Sequence, residues 1–214
     1  FDKDLCEILD HKSKIVWSMN LHPYQTKLLS QDLLVKVTIL LPVFNAEKFV
    51  GKAIESILTQ TFKKFEFIVI NDGSTDNSEK VILSYNDKRI RYFKNDSNIG
   101  LISTLNKGIN LARGKYIARM DADDISDSKR IENQYLFLES NPSVGLVSTW
   151  FKTFNSYGFI SESKYEIDHE LIRYNQLYNI QICHAASMFR KDLLKKNNLK
   201  FDQNYVHAED YDLF

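Results

Sequence analysis

The chain has 214 residues, 43% hydrophobic and 13% aromatic, enough for one sizeable core and too few for two large ones. Lysine plus arginine and aspartate plus glutamate balance at 28 each, so no overall field holds nucleic acid, and no local basic patch with interleaved aromatics replaces it. Seven glycines and three prolines exclude collagenous and low-complexity classes, and no apolar run approaches the roughly 20 residues that span a bilayer.

Cys6 and Cys183 fit neither a disulfide framework nor a zinc site, which predicts a reducing, cytoplasmic compartment. The sequence begins at Phe1 and stops inside the pattern "EDYDLF", so both ends are expected to be cuts. Membrane association would then come only through parts beyond them. Over residues 1–34, Leu5, Ile8, Leu9, Ile15, Val16 and Met19 recur at roughly helical spacing until "NLHPYQ", which predicts an N-terminal helical extension.

From residue 35 strand and helix alternate. "KVTILLPVF" (36–44) is a nearly continuous apolar run, as a strand buried on both faces requires. "AEKFVGKAIESILTQ" (46–60) puts Phe49, Ala53, Ile54, Ile57 and Leu58 on one helical stripe. "FEFIVI" (65–70) is a second strand, and Asp76 with Glu79 predicts a capping-box-like start to a helix through Tyr85. "RIRYFK" (89–94) is a strand, 100–112 a helix, "KYIARM" (115–120) a strand and 127–140 a helix. "VGLVSTWF" (144–151) and "QICHAASMFR" (181–190) read as strands; residues 152–180 carry no clear period.

Such alternation predicts a mostly parallel α/β sheet with helices on both faces, whose ligands sit beyond the carboxyl ends of the strands. Those ends are polar or acidic: Phe44-Asn45, Asn71-Asp72, Asn95-Asp96 and Asp121-Ala122-Asp123-Asp124. Neither G-x-x-x-x-G-K-[ST] nor G-x-G-x-x-G is present, so a nucleotide would not be held by a glycine-rich phosphate loop. Carboxylates can instead hold Mn²⁺ or Mg²⁺, which keep few protein ligands and complete their shell with phosphate oxygens and water. Asp121 and Asp123 can reach one ion only if the strand breaks into a turn there. The other reading is an acidic surface loop capping the helix at 127–140.

"ILLPVFNAEKFVGKAIESILTQTFKKFEFIVINDGSTDNS", "NIGLISTLNKGINLARGKYIARMDADD" and "HAEDYDLF" together resemble, in order and spacing, the nucleotide-sugar-binding domain of family 2 glycosyltransferases. These are inverting enzymes of the GT-A fold, and the resemblance covers about residues 36–214. It implies that Pro42, Val43, Phe44 and Asn45 frame a nucleobase, with Phe44 where the family often has tyrosine. It implies that Asp72 accepts a hydrogen bond from the base, that Asn98 and Gly100 edge the nucleotide, and that Asn106 and Lys107 lie on the helix behind it. Asp121 corresponds to the first acid of the DXD motif, near the ribose, with Ala122 between and Asp123 as the metal ligand. Glu209-Asp210 matches the acidic pair of the acceptor side, with Asp210 as base and Glu209 positioning acceptor or sugar. His184 matches a histidine near the donor–acceptor gap.

The implied reaction moves a hexose or N-acetylhexosamine from a nucleoside-diphosphate sugar, most often of uridine, to a saccharide, lipid-linked or protein acceptor. Competing readings remain at this level. Glu209 and Asp210 can cap a helix, and His184 can be a packing residue. Trp150 and Phe151 are expected in the core rather than on an acceptor platform, and His207 in a solvent-facing loop. The chain can also be a non-catalytic nucleotide-sugar-binding module, or a haloacid-dehalogenase-like phosphohydrolase with Asp121 as nucleophile.

Overall fold

The structure, a computed structural model, describes residues 5–9, 15–19, 35–155 and 158–213. The chain divides into two compact units, Phe1–Leu34 and Val35–Phe214. In the first, β1 (Leu5–Leu9) and β2 (Ile15–Met19) pair antiparallel, with Leu5 opposite Met19 and Leu9 opposite Ile15. These residues are strands, not the helix that their spacing suggested; the polar "DHKSK" between them leaves two short apolar runs that fit either period. The remainder of that helix expectation lies outside the described residues.

The second unit begins with β3 (Val37–Val43), α1 (Val50–Leu58), β4 (Phe65–Asn71), α2 (Ser78–Leu83), β5 (Ile90–Lys94), α3 (Leu101–Leu111), β6 (Tyr116–Arg119) and α4 (Arg130–Ser140). There follow β7 (Leu146–Ser148), β8 (Phe151–Asn155), β9 (Gly158–Ser163), α5 (His169–Gln176), β10 (Ser187–Arg190), α6 (Lys191–Lys196) and α7 (Glu209–Leu213). One sheet of six strands runs β5-β4-β3-β6-β10-β7. β3, β4, β5 and β6 pair in parallel, while β10 is antiparallel to both β6 and β7.

Alternation along the strands decides the two cores. Ile39, Leu41, Phe67 and Val69 face one side, packed with Ala53 and Ile54 of α1, Ile82 of α2 and Ile131 of α4. Leu40, Ile68 and Ile70 face the other, packed with Ile102 and Leu105 of α3 and Leu194 of α6. Each such fully buried aliphatic side chain contributes about 1.5–3 kcal/mol. Among the described residues, no helix is long and apolar enough to cross a membrane.

The chain winds outward from β3 through β4 to β5, and α3 then carries it back across to β6 on the other side of β3. Strand order reverses at the β3–β6 boundary, and a crevice opens above the carboxyl ends at such a switch point.

Four expectations are corrected. The run at 144–151 divides: among the described residues β7 pairs only with β10, that ladder ends at Ser148 opposite Ser187, and the chain then leaves to pair β8 with β9. Trp150 at the break is 48% exposed rather than in the core. Within 181–190 only Ser187–Arg190 is strand, and His184–Ala186 forms a 3₁₀ turn. Glu79 makes no capping box; it accepts from Tyr92 Oη at 2.9 Å and Lys94 Nζ at 2.6 Å, while Asp76 Oδ1 takes the Ser78 amide at 2.9 Å.

Candidate active site

At the switch point lies a cleft of about 440 Å³. The carboxyl end of β3 supplies Pro42, Val43, Phe44 and Asn45, and the end of β4 supplies Asp72. The β5–α3 loop adds Asn98 and Gly100, and the segment after β6 adds Asp121, Ala122 and Asp123. Ala46, Phe49 and Leu101 also line the cleft and were not foreseen. Phe49 was assigned to the buried stripe of α1, but that helix begins at Val50, and the ring is 52% exposed. With Phe44, 48% exposed, it puts two apolar rings in one cleft.

The walls are held by hydrogen bonds between loops. Asn45 adopts φ 49°, its amide donates to Ser74 Oγ at 3.0 Å, and its side-chain oxygen accepts from the Thr75 amide at 2.8 Å. Ala46 N donates to Ser78 Oγ at 2.8 Å, and Glu47 Oε2 accepts from both nitrogens of Asn77 at 2.8 Å. "NDGSTDNS" is thereby a clamp on the β3–α1 loop. Gly73, at φ 69°, passes so close to the β5–α3 loop that a Cβ would stand 2.4 Å from the carbonyl carbon of Ser97.

Asp72, 3% exposed, is anchored by the same loop. Its Oδ1 accepts from Asn95 Nδ2 at 2.8 Å and the Ile99 amide at 3.0 Å, and its Oδ2 accepts from the Gly100 amide at 3.0 Å. A carboxylate has about four lone-pair sites, so one acceptor position on Oδ2 is left for a ligand N–H.

After β6 the chain turns, with the Asp124 amide donating to Asp121 O at 3.3 Å, and the turn lets Asp121 and Asp123 both reach the cleft. Arg119, 3% exposed, makes an ion pair with Asp121. Burial, and then the charges of Asp121 and Asp123, push the Asp124 carboxyl above the usual range. Among the described residues no three potential ligands converge as a complete metal cage, and none pairs with the exposed Asp123 side chain. That donor set fits a hard divalent ion of the kind that takes one or two carboxylates and fills its shell with phosphate oxygens.

Five candidate residues lie outside the cleft, among them Lys107, whose Nζ donates to Asn95 Oδ1. Asn106 is engaged elsewhere: its Nδ2 donates to Phe201 O at 2.8 Å and its Oδ1 accepts from Phe201 N at 3.1 Å. Its side chain is committed to the Phe201 backbone and does not line the cleft. His184 stands in the 3₁₀ turn before β10, at the carboxyl edge of β6, because β10 runs antiparallel. Burial first, and the Arg119 charge second, push its imidazole down to about 3, and its ring packs 5.2 Å from that of Phe201. Glu209, 7% exposed, and Asp210 open α7, where carboxylates suit the helix start. Asp210 is close enough to Tyr165 to help raise its phenol, behind burial and the Cys183 charge. Tyr165 O in turn accepts from Trp150 Nε1 at 3.0 Å.

The profile of glycosyl transferase family 2 matches residues 38–197. The chain belongs to that family. An uncharacterized glycosyltransferase of Methanocaldococcus jannaschii is 36% identical over 186 residues, which cover 83% of this chain and 63% of that protein. S. aureus TarS (residues 1–349), solved in complex with UDP, superposes with a TM-score of 0.69 at 24% identity, over 82% of this chain and 53% of that one. The mannosyltransferase PcManGT of Pyrobaculum calidifontis, solved with GDP-mannose and Mn²⁺, gives 0.60 at 19% identity, over 78% of this chain and 47% of that one. These neighbours share the GT-A fold, here a six-stranded, mostly parallel sheet with helices on both faces. The chain thus spans less than two thirds of that relative and about half of the TarS chain. Membership of the family removes the phosphohydrolase reading of Asp121-x-Asp123.

Proposed function

We propose that this family 2 glycosyltransferase chain binds a nucleoside-diphosphate sugar in the β3–β6 cleft and transfers its hexose or N-acetylhexosamine, with inversion, to a saccharide, lipid-linked or protein acceptor. The carrying observation is convergence: residues from the ends of β3, β4 and β6 and from the β5–α3 loop line one cleft of about 440 Å³. Ligand sites of this kind run roughly 300–1,000 Å³.

Phe44 and Phe49 supply apolar faces for a base, and the remaining Oδ2 acceptor of Asp72 suits an imino N–H such as that of uracil. Asp121 faces the ribose and Asp123 the diphosphate. UDP in TarS and GDP-mannose in PcManGT are both nucleoside diphosphates, which favours the class without choosing the base. Asp123 would hold Mn²⁺ or Mg²⁺, with Asp121 next to it on the ribose side, and the ion would neutralise charge on the departing diphosphate. The acceptor hydroxyl attacks the anomeric carbon opposite the diphosphate, Asp210 takes its proton, and the bond to the leaving oxygen breaks. Glu209 orients acceptor or sugar.

A thermal-shift screen against UDP, GDP and dTDP sugars, with and without Mn²⁺, tests this reading, because a ligand that binds only the native state raises its melting temperature. A shift that needs both the ion and one base, and vanishes in Asp123→Asn, is the expected result. A panel with no shift anywhere removes the donor site.

A further inference from the structure

Two arginines are buried behind the acidic turn, and they are used differently. Arg130, 8% exposed, fastens the backbone: its Nη2 donates to Arg119 O at 2.6 Å and Ser187 O at 3.3 Å, and its Nε to Gln134 Oε1 at 3.3 Å. Arg119, 3% exposed, does nothing of the kind. Its Nε and Nη1 are buried without a hydrogen-bond partner among the described residues, and Nη1 meets Asp121 Oδ2 as an ion pair. Its charge also acts on the Asp124 carboxyl, but its ion pair is with Asp121. A desolvated guanidinium holds such a partner firmly, because losing the pair leaves a buried charge poorly compensated.

The pairing follows from strand geometry. The β3–β6 ladder continues past Arg119, with Met120 N donating to Leu40 O at 3.2 Å, and side chains two apart on extended chain fall on one side. The pair therefore spans from the interior, where Arg119 is closed off, to the cleft, where the Asp121 side chain is 40% exposed. Asp123 lies within the turn, exposed and outside that pair.

We infer that Arg119 is a positioning residue for the donor: it fixes the Asp121 carboxylate toward the nucleotide and keeps it off the cation, leaving Asp123 to ligate the ion alone. This rests on reading the cleft as a donor site. Arg119 itself touches no donor atom and acts through Asp121, with Oδ2 on the guanidinium and Oδ1 free for the ligand.

The experiment is a double-mutant cycle read by calorimetric titration with UDP, and with GDP in parallel, at saturating and at limiting Mn²⁺. Arg119→Met and Asp121→Asn should each weaken binding roughly tenfold, and the double variant should be no weaker than the poorer single one. Arg119→Lys should recover part of the loss, since an ammonium supplies the charge without the fork. The Mn²⁺ concentration giving half-maximal UDP binding should rise in Asp123→Asn and stay unchanged in Arg119→Met and Asp121→Asn. A merely structural arginine would lower the melting temperature without that split. Losses that multiply in the double variant, or an Mn²⁺ requirement raised in Asp121→Asn as in Asp123→Asn, overturn the inference. Should Arg119→Met not fold, Arg119→Lys with Asp121→Asn closes the same cycle. If the wild type takes up neither UDP nor GDP, the donor reading fails separately, and the melting temperatures of the same proteins without ligand decide the pairing. Additive shifts there overturn it.

Discussion

Asn45 and Thr75 belong to different loops and hold them as one wall: Asn45 Oδ1 accepts from the Thr75 amide at 2.8 Å and from its hydroxyl at 3.3 Å. The residue also sits at φ 49°, a left-handed conformation that asparagine tolerates and most residues do not. Asn45→Ala loses both bonds and adds backbone strain, so unfolding should become easier by about 1–3 kcal/mol. Asn45→Gly should restore the backbone part but not the bonds. Urea denaturation of the three proteins separates the two; an alanine variant as stable as the glycine one would show the φ to be unimportant.

Asn106 clasps the Phe201 backbone through both ends of its amide, 95 residues away in sequence. Its replacement by alanine should cost roughly 1–3 kcal/mol by removing both bonds to that backbone. Nucleotide affinity should not change. Calorimetric titration showing a large drop in UDP affinity, with stability intact, would return Asn106 to the binding site.

His184 has an imidazole pushed from 6.5 down to about 3, by burial and then by Arg119. The unfolded chain therefore takes up a proton below pH 6.5 that the native chain refuses until about pH 3. Stability attached to this group is present above pH 6.5 and is lost as the pH falls toward 3. His184→Gln should lose less stability than the wild type between pH 7 and pH 4.5 in urea titrations. Parallel pH profiles would place the shift elsewhere.

Asp210 is separable from the proposed donor cleft because it opens α7 and does not line that cleft. Asp210→Asn should lower transfer about 10²- to 10⁴-fold while leaving Mn²⁺-dependent UDP binding within about twofold. Loss of transfer and binding together would speak against the division of labour between Asp123 and Asp210.

Much of this was legible before folding because it is local. A strand buried on both faces is mostly apolar, and β3 and β4 are, with Thr38, Glu66 and Asn71 as the polar exceptions. Polar residues at strand ends announce a ligand edge, and Phe44, Asp72 and Asp121 do line one cleft. Side-chain commitments were not legible, because they join segments far apart in sequence. Nothing near Asn106 points to Phe201, and nothing near Trp150 shows that β7 runs out of partners at Ser148.

The order of apolar runs and the acids that punctuate them determined a mostly parallel α/β domain of the glycosyltransferase type, since period and burial are properties of neighbouring residues. Tertiary structure decided which carboxylates remain available. Asp72 is saturated but for one acceptor position by the β5–α3 loop, Asp121 is claimed by Arg119, and Asp123 is left in the open. Sequence shows three equivalent acids after β6; a buried guanidinium and a tight turn make them unequal, because charge is strongest where water is excluded.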